Sequence, residues 1–188
     1  MKTGMKLACA AASSVCAMTL HAQQPATASQ SPMSVPPAMT GNPAPPGRPQ
    51  PLAPSPSMAT ALKMAHAAVA ACRSFHVGIT VLDDAGYPKL TYIPDGTAGV
   101  HAFISFKKAN TALRFKMPSG EITAAMKRNS QIAAEFHAGG ADFITFAGGL
   151  PLMSHGKLIG ALGVSGAEPS AKDEACGKAA VRAVGLRY

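Results

Sequence analysis

The chain has 188 residues, of which 14% are charged and 5% aromatic, and its 17 Lys and Arg against 9 Asp and Glu give a formal charge of +8. This length accommodates one domain of ordinary size, and the abundance of Ala and Gly requires a core of small and aliphatic side chains with few large anchors. The basic residues are spread along the chain and are not interleaved with stacking aromatics, which argues against nucleic acid as a partner.

Lys2 and Lys6 precede an apolar run from Leu7 to Leu20, and Ala22 stands before Gln23 and Gln24. A basic start, an apolar stretch too short to span about 30 Å of hydrocarbon and a small residue before a polar one form the pattern of a secretory signal peptide over residues 1–22. The expected location is periplasmic or secreted, with no membrane span after processing and a mature charge of +6, from 15 basic and 9 acidic residues. Removing Cys9 and Cys16 leaves Cys72 and Cys176. In an oxidising compartment these form one disulfide or stay as two buried thiols, and the sequence leaves both alternatives open.

Residues 23–57 hold eleven of the sixteen prolines with Arg48 as the sole charge, so this segment is expected to be a semi-rigid spacer without a core. The folded domain is placed at 58–188. Ser57 can cap a helix over Met58–Phe75, in which Leu62, Ala65, Val69 and Cys72 recur at helical spacing. His76–Asp83 is rich in β-branched residues and Tyr87–Ile93 is its return strand across the turn Asp84-Ala85-Gly86. A helix is expected over Val100–Lys116, with Phe103, Phe106, Ala109 or Asn110, and Leu113 on one side, ended by Pro118. Another is expected over Ile122–Phe136, closed by Gly139-Gly140. Three short strands then follow, Asp142–Phe146, Leu150–Ser154 and Leu158–Val164, and a last helix runs over Ser170–Val184 with Asp173 and Glu174 complementing its dipole. The fold class is α+β: a five-stranded, mainly antiparallel sheet covered by about four helices.

The chain has no G-x-S-x-G elbow, H-E-x-x-H pair, Walker loop or dinucleotide fingerprint. Gly163-Val164-Ser165-Gly166 reads as a tight strand-to-helix turn, whose backbone N–H groups suit an anionic group such as a carboxylate. The histidines of the mature chain, His66, His76, His101, His137 and His155, lack a metal-ligand spacing. A haem iron asks for less: one imidazole, an apolar slot, and cations or backbone donors for the propionates. His101 is the leading candidate for axial ligand, because Phe103, Phe106, Lys107 and Lys108 share its helix. His155 and His137 are the alternatives.

The series Val81-Leu82-Asp83-Asp84-Ala85-Gly86, Asp95-Gly96, Lys107 to Ala112, Gly148-Gly149-Leu150-Pro151 and Gly160 to Gly166 with Asp173-Glu174 resembles the HbpS/GlcG family of small haem-binding proteins over roughly Met58–Leu186. The resemblance implies a compact domain with an antiparallel sheet, assembly into homo-oligomers, haem as cofactor or cargo, and a sensor or transport protein as partner. Together with the candidate residues it implies a haem site drawn from His101, Phe103, Lys108, Gly149, Gly163 and Gly166. The sequence departs from the family pattern at Thr97, where Ala commonly follows Asp-Gly, and at His101, where a small polar residue is common. An exported protein that sequesters or delivers haem is the first expectation. The alternatives are slow haem degradation or another small-molecule reaction in the same pocket, and an oligomeric accessory or sensory role without turnover. The processed protein is expected to begin at Gln23, and intact mass checks this: a product retaining residues 1–22, or a lipidated cysteine, would contradict it.

Overall fold

The computed structural model describes residues 54–188. The expected signal peptide, its expected cleavage site and the expected tether up to residue 53 lie outside the described residues. Among the described residues the helices are α1 (Met58–Ala71), α2 (Val100–Phe115), α3 (Ile122–Arg128), α4 (Ser130–Ala138) and α5 (Ala171–Ala183), and the strands are β1 (Gly78–Leu82), β2 (Pro88–Tyr92), β3 (Gly149–Ser154) and β4 (Lys157–Ser165). The sheet has the order β2-β1-β4-β3 and every pairing is antiparallel. None of these helices is long and apolar enough to cross a membrane.

The structure is α+β, as the pattern of elements requires, with four strands where five were expected and five α-helices where about four were expected. Asp142–Phe146 is not a strand, because side chains and not a neighbouring strand satisfy its backbone. Asn110 Nδ2 donates to the Asp142 carbonyl at 3.3 Å, the Ile144 N–H donates to Thr111 Oγ1 at 2.9 Å, and Ser119 Oγ donates to the Phe146 carbonyl at 2.7 Å. Its apolar content is used by Phe143, whose ring packs edge-on against Phe115 with centroids 5.1 Å apart. The helix expected over Ile122–Phe136 is divided at Asn129, whose backbone is extended and whose Oδ1 accepts from Gln131 N at 2.9 Å and Ile132 N at 3.3 Å. A short side-chain acceptor that competes for backbone donors favours such a cap over the middle of a helix.

Helix α1 starts where Ser57 Oγ accepts from Thr60 N at 3.1 Å. Its buried face is Ala61, Met64, Ala65 and Ala68, running on to Cys72, so Leu62 falls outside the stripe and is exposed. Pro56 is buried and the Pro54 carbonyl accepts from Asp84 N at 3.0 Å, so these last tether residues pack with the domain. In the β1–β2 hairpin, Asp83 Oδ1 accepts from Ala85 N and Tyr87 N at 3.0 and 2.8 Å, and Gly86 takes a φ of 88°.

The sheet lies between helices. Ile79, Val81, Leu150, Leu152, Leu162 and Val164 face α1 and α5 and form the larger core with Met64, Ala68, Ala180 and Val181. On the other face Phe106, Ala109 and Leu113 of α2 pack on Leu82 and Ala161. All of β1 is buried, so it reads as a continuous apolar run and not as an alternating one.

Two constraints hold these layers together. Cys72 and Cys176 form a disulfide with Cα atoms 5.7 Å apart, joining the end of α1 to α5 across 104 residues. Lys108 of α2 and Asp173 of α5 form an ion pair at 2.7 Å, with side chains only 3% and 2% exposed.

Cys176→Ser should lower the unfolding free energy by about 4 to 5 kcal/mol on the loop-entropy model, read from urea denaturation; an unchanged midpoint would contradict a structural cross-link. For the ion pair, Asp173→Ala should cost about 3 to 5 kcal/mol, because it strands a buried ammonium, while Lys108→Met combined with Asp173→Leu should recover most of that loss. A double variant as unstable as Asp173→Ala alone would show that the pair itself, and not the stranded charge, carries the stability.

Candidate functional site

The site begins with the approach of α2 to the sheet. A Cβ on Gly163 would lie 1.9 Å from the Ser105 carbonyl, and a Cβ on Gly149 would lie 1.9 Å from the Lys108 carbonyl, so only glycine lets the helix backbone rest on β4 and β3. The register is set further by Ser105 Oγ, 2.8 Å from Thr80 Oγ1. From Ser105 above Gly163, four residues back along α2 is about 6 Å and two residues on along β4 is about 6.6 Å. These equal steps bring His101 opposite Ser165, and His101 Nδ1 lies 3.1 Å from Ser165 Oγ.

His101 and Ser165 lie in a cleft of about 550 Å³ between the first turns of α2, the end of β4 and the start of α5. Ile104, Phe146, Ala167 and Pro169 give it apolar surface, and Lys108, Glu168, Ser170 and Asp173 give it polar groups. His101 is half-buried and Ser165 is buried. Ser165 engages Nδ1 of the imidazole, and among the described residues no hydrogen bond engages Nε2.

Lys108 contributes to the wall in a different way from the one its position in the sequence suggests. Burial pushes its ammonium below the usual lysine range, and the hydrogen bond and charge of Asp173, with the charge of Glu168, only partly oppose this. Its Nζ donates to Asp173 Oδ2 at 2.7 Å, while Asp173 Oδ1 accepts from Ala167 N at 2.8 Å. The ammonium is therefore committed to holding α5 and the 166–170 loop and is not a free cation facing the cleft. Asp173, expected only to complement the helix dipole, is the hub of this arrangement.

Of the candidate residues, His101, Lys108 and Gly166 line the cleft, while Gly149 and Gly163 sit behind it against α2. Gly166 has a φ of 134°, and a Cβ there would meet the His76 carbonyl at 2.3 Å, so its role is to let the chain turn. Phe103 is 49% exposed and does not line the cleft. His155 sits in the β3–β4 turn with a φ of 46°, beside a separate hollow shared with Arg187 and Tyr188. His137 is exposed near the end of α4, next to Phe136. The three candidate histidines therefore occupy three places, and only His101 shares a cleft with other candidates.

Sequence reasoning missed Ser165, Phe146 and Ile104. Ser165 was visible within Gly163-Val164-Ser165-Gly166, but its partner lies 64 residues away in sequence. Phe146 was assigned to a strand. A second hollow of about 650 Å³ lies at the far end of α2, where Arg114 and Glu135 pair at its rim. It has no imidazole among its lining residues.

Residues 57–182 match the family model described as haem-degrading protein HbpS-like. An uncharacterized 15.0 kDa protein of Citrobacter freundii, from the dhaT-dhaS intergenic region, is 33% identical over 112 residues, covering 58% of this chain and 79% of that protein. Among solved structures, the Klebsiella pneumoniae protein ORFY is 27% identical with a TM-score of 0.63, over 73% of this chain and 94% of that one. A double mutant of Streptomyces reticuli HbpS is 25% identical with a TM-score of 0.61, over 71% and 89%. The PduOC:heme complex shares the fold, at 24% identity and a TM-score of 0.64, over 71% and 97%. With the family model matched across the whole sheet, the first four helices and α5 as far as Arg182, the chain belongs to the HbpS-like family.

Proposed function

We propose that this is an exported haem-binding protein that sequesters or delivers haem, with the cleft at His101 as its binding site. The carrying observation is the His101 imidazole, held at Nδ1 by Ser165, with Nε2 unengaged in an open and partly apolar cleft. A haem iron can be held by a single histidine, and about 550 Å³ falls within the range of small-molecule and cofactor sites. Ile104, Phe146, Ala167 and Pro169 supply the apolar contact a porphyrin face needs. Lys108 is bound to Asp173, so propionates would depend on other donors, such as the N–H groups where α5 begins. The residues present thus fit the group in ligand and in wall chemistry.

When bound, the iron porphyrin supplies ligand exchange and redox chemistry; the protein's part is to orient the imidazole, exclude water from one face and keep the wall rigid. The relatives support the reading, since one is a haem complex and the family carries a haem-degrading description. That description also supports the second reading, slow haem degradation in the same cleft. Export is supported by the Cys72–Cys176 disulfide, which suits an oxidising compartment. Assembly into a homo-oligomer and hand-over to a sensor or transport protein belong to the same proposal, and exposed Val100, Phe103 and Phe146 offer apolar surface for such contacts.

Haemin titration of the mature protein should give a saturating Soret band at about one haem per chain. His101→Ala should shift the band and weaken binding about ten-fold or more, on the scale of other losses at metal sites, whereas His137→Ala and His155→Ala should match the parent. A band that persists with reductant and oxygen supports holding, and one that decays supports degradation. Parent-like binding by His101→Ala would remove His101 from the site.

A further inference from the structure

We infer that Ser165 is the positioning residue of the cleft: its hydroxyl selects which nitrogen of His101 carries the ring proton, and it exchanges donor for acceptor when a metal takes Nε2. The inference rests on the reading of the cleft as a haem site. A serine hydroxyl, unlike an ionised carboxylate or a carbonyl, can either donate or accept at the same oxygen.

Ser165 Oγ lies 3.1 Å from His101 Nδ1, and Ser165 is 3% exposed. Among the described residues no other side-chain hydrogen bond involves Ser165 Oγ. The main chain that carries the oxygen is anchored: Ser165 pairs with Gly78 at the end of β4, and Gly166 follows with a φ of 134°, so the residue is held by the sheet on one side and by a glycine turn on the other. The ring hangs on the first turn of α2, whose register over Gly163 and Thr80 is set independently. Both ends of the contact are therefore anchored, and what remains free to change is the hydroxyl torsion and the ring proton.

In the empty cleft the buried hydroxyl donates to Nδ1, so the neutral ring carries its proton on Nε2. Coordination requires a bare Nε2. The ring proton then resides on Nδ1, the hydroxyl turns to accept it, and the contact survives with its direction reversed. The imidazole starts and ends neutral with one proton, so no net proton is taken up or released at this pair. A residue that could only accept would favour the coordinating tautomer in the empty protein as well. In the empty site Nδ1 is the hydroxyl's side-chain acceptor, which sets the tautomer, and in the occupied site the same oxygen accepts instead, so the contact is kept through loading and release.

The test uses the full mature protein with zinc protoporphyrin, a diamagnetic probe. Long-range proton–nitrogen spectra of the His101 ring should show the proton on Nε2 in the free parent and on Nδ1 in the loaded parent. Ser165→Ala should give a mixture of tautomers in the free protein and about ten-fold weaker zinc protoporphyrin binding. Ser165→Thr, which keeps the hydroxyl, should restore both, and thermal melts of the variants show that each is folded. Ring shifts and affinity unchanged in Ser165→Ala would overturn the inference, as would a free parent with its proton already on Nδ1. The failure of the underlying reading looks different. If His101→Ala binds zinc protoporphyrin as the parent does, the cleft assignment falls and the inference falls with it; if only His101→Ala weakens binding, the role of Ser165 alone is refuted.

Discussion

The ion pair of Lys108 and Asp173 spans from a helix on one face of the sheet to a helix on the other, and the cleft is built around it. Removing two charges from water costs several kcal/mol per ion, a cost offset only when the remaining donors and acceptors are also satisfied. Asp173 meets that condition by taking Lys108 on one oxygen and the Ala167 N–H on the other. One carboxylate therefore fixes the distance between α2 and α5 and the path of the loop that walls the cleft. The pair runs past Gly148, just before β3, where a Cβ would lie 2.9 Å from Asp173 Cβ and 3.1 Å from Lys108 Cδ. The Val164 carbonyl would lie nearer still, at 2.5 Å, so glycine is required there by crowding as much as by its φ of 123°.

The small-residue composition has its structural counterpart on the face of the sheet under α2. Gly149, Ala161 and Gly163 leave that face nearly flat, so the helix lies with its backbone against the strands. With the helix this close, His101 meets Ser165 at the end of β4 and Lys108 meets Asp173 of α5. A larger residue at Gly163 would lift the helix and separate both pairs together. The opposite face carries the larger aliphatic core and the disulfide, whereas the candidate cleft opens where α2 meets the end of β4.

Much of this was legible in the sequence, because local rules governed it. The hairpin at Asp83 to Tyr87, the cap at Ser57 and the strands β3 and β4 follow from turn and cap chemistry that neighbours along the chain supply. What escaped was non-local. Asp142–Phe146 has a strand's composition, yet Asn110, Thr111 and Ser119 take its backbone partners, and no window along the chain contains that information. Asn129 was readable as a cap, but the helical spacing on both sides of it concealed the break. In the site, His101 stood out by residue type, whereas Ser165 and the committed state of Lys108 depend on partners more than 60 residues away. Cys72 and Cys176 were left open for the same reason, since pairing depends on how α1 and α5 lie together.

Under the proposed reading, the arrangement of ionisable groups also bears on whether a bound haem would be held or turned over. Proton transfer needs a group free to change its charge while near the reacting atoms. Lys108 and Asp173 satisfy each other, and a change in either would loosen the wall that both support. Glu168 also lines the cleft, but it is exposed to solvent. That leaves His101, and an imidazole whose Nε2 is bound to iron cannot also act there as a base. The same residue would thus serve coordination at the expense of acid–base chemistry, and slow degradation in the proposed cleft would have to draw its protons from water.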